Sequence, residues 1–211
     1  MKRVVLFLAV TAVLLLANGL QAEDLVLPPW LRGDPGTTQQ AWEFGDDSNP
    51  ALPDFSVNSN GTASVSLIGG FVENTVWYEN YQGASGVWGY EIDMIASVPN
   101  FDVPNLLKEV WVQITYLADF APNVFLLPEG DQENITVMGL VDDIVGAGDY
   151  STAVYHAIIE PNPTFEEIWI RPAGCTAYID ELVIDTICVP EPATMCLLGL
   201  GALALLRKRR P

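Results

Sequence analysis

Positive charge is scarce in this chain of 211 residues: nine Lys and Arg stand against 27 Asp and Glu, a formal net charge of −18 at pH 7. Most of the cations lie at the two ends, as Lys2, Arg3, Arg207, Lys208, Arg209 and Arg210; the stretch between keeps only Arg32, Lys108 and Arg171. So acidic a body repels nucleic acid and anionic lipid head groups, which excludes both as partners of its surface. Histidine occurs once, as His156. That number rules out zinc sites built on several histidines. A Ser-His-Asp relay would have to run through this one mid-strand residue, and no Gly-x-Ser-x-Gly turn is present. Cysteine occurs as Cys175, Cys188 and Cys196, without a CxxC pair, a Cys/His cluster or a haem motif. Helical periodicity is missing as well: no stretch of the body repeats apolar residues at i, i+3, i+4 and i+7 between capping residues.

What is present begins with the ends. Met1-Lys2-Arg3 is a positive start, residues 4–17 are uncharged and mostly apolar, and Asn18-Gly19-Leu20-Gln21-Ala22 breaks the run with a small residue at its close. This pattern predicts a secretory signal peptide over 1–22, cut before Glu23. At the other end, Pro190-Glu191-Pro192 stops regular structure, residues 193–206 form an apolar run, and Arg207-Lys208-Arg209-Arg210 follow as a basic cluster. The run is shorter than the ~20 residues that span a bilayer without strain. With the basic cluster held on the cytoplasmic side, it predicts a short C-terminal transmembrane helix with the body on the opposite side. Val189-Pro190-Glu191-Pro192-Ala193-Thr194-Met195, the apolar run and the basic cluster together resemble the PEP-CTERM sorting signal of Gram-negative bacteria. That resemblance implies an exosortase-type membrane protease as partner, removal of the tail near the motif, and an organism that makes extracellular polysaccharide.

Between the ends, residues 23–189 amount to a single domain, long enough to bury about 70% of its unfolded surface without staples. Its apolar content is too high for disorder despite the charge. The segments around 39–44, 63–68, 75–81, 87–97, 108–120, 124–127, 135–138, 151–160, 167–171 and 177–187 read as short strands, rich in Val, Ile, Trp and Tyr and separated by Gly, Pro, Asn and Asp. Residues 108–120 carry the clearest alternation, with Val110, Val112, Ile114 and Tyr116 on one face. The expectation is an all-β antiparallel sandwich, jelly-roll-like in outline. A Cys175–Cys188 disulfide is disfavoured: if the residues between form one strand, its ends stand roughly 40 Å apart, against the ~5.5–6 Å that a disulfide needs. Only a tight hairpin within 176–187 would bring the two together.

Trp42-Glu43-Phe44 and Tyr178-Ile179-Asp180-Glu181 are similar to the opening and closing strands of galactose-binding-like jelly rolls, including many carbohydrate-binding modules. The resemblance implies neighbouring first and last strands and a structural calcium ion held by Glu43 and Asp180 with backbone carbonyls; hard oxygen donors suit Ca²⁺. Trp77, Tyr78, Tyr81 and Trp88 flank the turn around 83–86 and form a candidate aromatic platform for sugar faces, with packing at the sandwich end as the competing use. Trp111 and Trp169, set in alternating strands, read as core. Glu129, Asp131 and Glu133 have the spacing of a calcium loop, but Gly130 is misplaced, and a solvated turn is the better reading. His156 reads as a structural histidine. The sequence therefore points to an exported, non-catalytic binding module of the cell surface or matrix, with extracellular polysaccharide as the partner class. A purely structural matrix protein is the first alternative, and a polysaccharide-acting hydrolase using a carboxylate pair is the second.

Overall fold

The computed structural model describes residues 26–68, 74–100, 106–127, 136–146, 149–160, 162–163 and 165–190. Among them the chain is all β, in antiparallel sheets. The signal peptide expected over 1–22, the helix expected over 193–206, the motif residues Glu191 and Pro192, the basic cluster 207–210 and the acidic turn with Glu129, Asp131 and Glu133 lie outside the described residues.

Thirteen strands form two sheets: β1 (Thr37–Trp42), β2 (Phe55–Val57), β3 (Ser64–Leu67), β4 (Thr75–Tyr81), β5 (Ala84–Tyr90), β6 (Met94–Pro99), β7 (Leu106–Leu117), β8 (Asn123–Leu127), β9 (Thr136–Val137), β10 (Gly139–Val145), β11 (Ser151–Ile159), β12 (Phe165–Arg171) and β13 (Ala177–Pro190). The larger sheet runs β10-β11-β7-β13-β1-β2, with the β4–β5 hairpin joined to β13; the smaller runs β3-β6-β12-β8-β9. First and last strands are neighbours, paired from Thr37↔Ile187 to Trp42↔Leu182. The inner faces meet in one core. Val110, Val112, Ile114 and Tyr116 of β7 and Leu182 and Ile184 of β13 face Met94, Ala96 and Val98 of β6 and Ile168 and Ile170 of β12. Alternate residues point to one face of a strand, so these even-numbered runs supply the buried stripe that joins the sheets.

Two expectations about strands are corrected. Residues 87–97 are not one strand. The backbone turns at Tyr90, which has a positive φ of 81°; β5 stays in the larger sheet and β6 enters the smaller one. Asp93, beside this turn, is buried, accepting from the Trp169 indole and facing Arg171 Nε at 3.6 Å. Trp169 is not core: Ile168 and Ile170 take the inner face of β12, so Trp169 lies outside, half-buried, with Phe125 beside it and the Arg171 guanidinium 4.5 Å over its ring.

Trp111 is buried, but on the outer face of the larger sheet. A segment starting at Val26 crosses that face. Trp111 Nε1 donates to the Val26 carbonyl at 3.3 Å, the Val26 N–H donates to Gln113 at 2.9 Å, and Arg32 grips the fully buried Asp185 at 2.7 and 2.5 Å. A two-pronged guanidinium–carboxylate contact is among the stronger polar pairs, and it fastens this strap to β13. Cys175 is exposed ahead of β13 and Cys188 is buried near its end, both as free thiols. The fourteen-residue strand keeps them apart, as strand geometry requires.

Candidate functional site

Along β13 one edge changes partner. Ala177 to Ile179 pair with β5, while Leu182 to Ile187 pair with β1. On the opposite edge the ladder with β7 slips, from Ile179↔Tyr116 to Glu181↔Thr115, leaving Asp180 as the extra residue of a β-bulge. A bulge re-aims side chains and reverses which alternate residues face inward. Before it Ala177 and Ile179 enter the core; after it Leu182 and Ile184 do. Glu43 follows immediately on Trp42, the last residue of β1, and so reaches the same seam. Gly86 makes that approach possible. Its φ is +76°, and a Cβ there would lie 2.4 Å from the Glu43 carbonyl and 2.5 Å from the Phe44 carbonyl.

The seam opens into a cleft of about 1000 Å³ lined by Glu43, Asp54, Glu79, Asp149, Asp180 and Glu181, together with Asn80, Gln82, Thr115, Tyr150 and Thr152. Among the described residues no basic side chain lines it. The body's own cations are engaged elsewhere: Arg32 with Asp185, Lys108 with Glu166, Arg171 with Asp93. Burial, with the charge of Glu43 second, raises the Asp180 carboxyl from its ordinary 3.8 to about 6. The two carboxylates singled out from the sequence thus share one cleft and repel one another. Both are hard oxygen donors, the type that calcium and magnesium take. Among the described residues no group of three or more His, Cys, Asp or Glu is arranged as a metal cluster. Any ion held by Glu43 and Asp180 would complete its shell with carbonyl groups and water.

The aromatic quartet is divided. Trp88 is buried in the core at 7% exposure, and Trp77 packs against the core with its indole donating to the Phe44 carbonyl at 2.9 Å. Trp88 therefore offers no free face, which corrects the expectation for it, while Trp77 is half-buried. Tyr78 and Tyr81 instead gather with Tyr178 of β13, a residue the sequence reading passed over as an aromatic. Ring centroids are 4.9 Å apart for Tyr78–Tyr81 and 4.3 Å for the stacked Tyr81–Tyr178 pair. The Tyr178 ring lies where a Cβ on Gly89 would be, 2.1 Å away, so the glycine directly across the ladder makes room for it. The Tyr81 hydroxyl, then burial, pushes the Tyr178 hydroxyl up to about 12. Tyr150 on the cleft wall donates to the Tyr81 carbonyl at 3.0 Å and joins the cluster to the cleft. The sign of this cluster is the strand pairing of Gly89 with Tyr178, which is visible only once the fold is known.

His156 sits on β11, half-buried, with Nε2 3.1 Å from Glu109 and its ring beside Trp111. It lies on a different part of the sheet from the cleft and does not line it.

With this geometry in place, the comparisons with known proteins add one firm point. Residues 189–210 match the PEP-CTERM protein-sorting motif, which contains Pro190, Glu191 and Pro192 and the basic residues Arg207, Lys208, Arg209 and Arg210. The motif implies export, processing by exosortase, a membrane enzyme, and sorting toward the cell surface or extracellular space. It covers the tail and leaves the β-body unassigned. No curated protein matches the chain.

Proposed function

We propose that the protein is an exported surface or matrix component whose β-body is a non-catalytic binding module, with extracellular carbohydrate as its ligand class and a structural calcium ion at Glu43 and Asp180. One observation carries this: the six-acid cleft at the β13 seam has no cation among its described lining residues and adjoins the Tyr78–Tyr81–Tyr178 cluster. Carboxylates and the amides of Asn80 and Gln82 match sugar hydroxyls, and a tyrosine face covers the apolar side of a sugar ring. Calcium would offset both the burial and the Glu43 repulsion that raise Asp180 to about 6. Glycan-array binding by the exported protein, with and without calcium, tests the reading. Binding that is lost in Tyr178→Ala supports it; absence of binding to every polysaccharide would leave the purely structural matrix role in its place.

A second reading is favoured by the same pair of carboxyls. A raised acid beside an ionised neighbour is what general-acid glycoside cleavage uses. Polysaccharide turnover that disappears in Asp180→Asn would assign hydrolysis in place of binding alone.

A further inference from the structure

At the opposite end of β13 from Asp180, the sandwich buries a polar knot that the proposed binding role does not use. Lys108 of β7 is 0% exposed and points inward between the sheets. Its Nζ lies 2.9 Å from Glu166 Oε1, on β12 of the facing sheet, and 2.5 Å from Asn100 Oδ1, just after β6. Cys188, directly across the ladder from Lys108, sets its thiol 3.4 Å from the same amide oxygen. Asn100 Nδ2 donates to Asn162 and, at 2.7 Å, to the Pro163 carbonyl. All five side chains are buried.

Burying a lone ammonium–carboxylate pair costs more than an apolar pair of the same size. This pair moreover faces an electrophile. We infer that Lys108 and Asn100 join in an intramolecular amide (isopeptide) bond, with Glu166 as the proton carrier and Cys188 as a donor to the amide oxygen. In the low dielectric of the interior a neutral amine and a neutral acid are favoured over two ions. Burial raises the carboxyl of Glu166 in that direction, opposed only in part by Lys108. It likewise raises the Cys188 thiol, which keeps its S–H available as a donor.

The step balances without any co-reactant. Glu166 takes a proton from the Lys108 ammonium. The freed Nζ lone pair attacks Cγ of Asn100, and the carbonyl electrons move onto Oδ1 against the Cys188 S–H. Glu166 returns its proton to Nδ2, the Cγ–Nδ2 bond breaks, and Nδ2 leaves as ammonia. The second proton lost from Nζ stays on Glu166. One amide is exchanged for another, one ammonia is released, and residues 100–108 are closed into a ring.

The sequence makes the test simple, because the lysines of the whole chain are Lys2, Lys108 and Lys208. Full-length chain, shown to be folded by its near-ultraviolet circular dichroism, is denatured, digested with a lysine-specific protease and weighed by mass spectrometry. The expected result is no cut after Lys108 and a fragment lighter by one ammonia. Glu166→Gln and Asn100→Ala should each restore the cut and the full mass. A folded parent chain that is cut after Lys108 at full mass overturns the inference and leaves a salt bridge alone. Resistance that persists in Asn100→Ala overturns Asn100 as the acceptor. Because the readout is a mass at Lys108, it is independent of any ligand in the cleft.

Discussion

The two ends of β13 hold carboxylates in opposite circumstances. At the Cys188 end Glu166 is sealed between the sheets against Lys108, whose Nζ also donates to Asn100, itself bonded to Asn162. At the Asp180 end six acids share an open cleft with no basic side chain among its described lining residues. Both arrangements raise a carboxyl pKa, yet for different reasons. Burial acts on Glu166 while its cation opposes it; at Asp180 burial and a like charge act together. In a protein with three body cations, placing one of them deep inside is a choice against surface neutrality. There its charge is met by Glu166, within the core. The cleft is left negative, and an ion or ligand from outside is what would balance it. One end therefore bears on stability, and the other is where the proposed recognition would act.

The sharpest way to break that contrast is to remove one partner of the sealed end. Lys108→Met strips Glu166 of its cation and should cost about 3–5 kcal/mol in denaturant unfolding, more where the Lys108–Asn100 amide is lost too. Adding Glu166→Leu should recover most of the ion-pair part, because two matched apolar residues leave nothing unpaired. A double variant as weak as the single one would mean that the pair is not a self-contained unit. At the open end the corresponding perturbation is addition rather than removal. If calcium binds the folded cleft, raising it to 100 times its Kd should stabilise the protein by about 2.7 kcal/mol. The rise in Tm should vanish in Glu43→Gln. Equal responses of parent and variant would detach the ion from this site.

Both ends were partly legible before the fold was known. Lys108 has the same parity as Val110, Val112 and Ile114, so the alternation that defines β7 already turns it inward. Parity also speaks against Trp169: its place in an alternating strand suggests core, but it stands between Ile168 and Ile170, which take the inner face. Strand β10 was not legible because nearly all its residues are exposed, so Gly139–Val145 carries no alternation to read. The division of residues 87–97 between two sheets depends on a positive φ at Tyr90, which an aromatic side chain does not announce. Pairing of Glu43 with Asp180 came from a likeness at two short motifs. The bulge and the change of partner along β13, which bring these residues to one seam, are long-range features with no local signature.

That seam can be probed through its backbone. A Gly86→Ala side chain would meet two carbonyl groups rather than a movable side chain, at a φ that disfavours it. The expected loss is about 1–3 kcal/mol in unfolding free energy. The calcium response should weaken with it, since the Glu43 backbone must retreat. Gly83→Ala is the control: no atom lies within 4 Å of its Cβ position, although its positive φ still brings some strain. A calcium response weakened as much by the control as by Gly86→Ala would show that the close approach of Gly86 does not set the site.

The smallest effect is also the most specific to the open end. Asp180 holds its proton up to about pH 6 in the folded protein, whereas its ordinary value is 3.8. Near pH 3.5 and below, the carboxyl is protonated in both states and contributes nothing against folding. Between pH 4 and 6 the unfolded chain ionises there while the folded chain resists, so this group's contribution to stability falls as pH rises and levels off above 6. Asp180→Asn removes the titration. In chelator, parent and variant should melt together at the acid end, and the variant should melt higher at pH 7, by a margin that solvent screening keeps to a few degrees at most. Other acids act on both proteins, so the difference between the two curves isolates position 180. Calcium should reverse the order at pH 7, because the ion stabilises only the carboxylate. A variant that melts lower than its parent in chelator at pH 7 would mean that Asp180 is already neutralised within the protein, and the distinction between a sealed end and an open one would no longer hold.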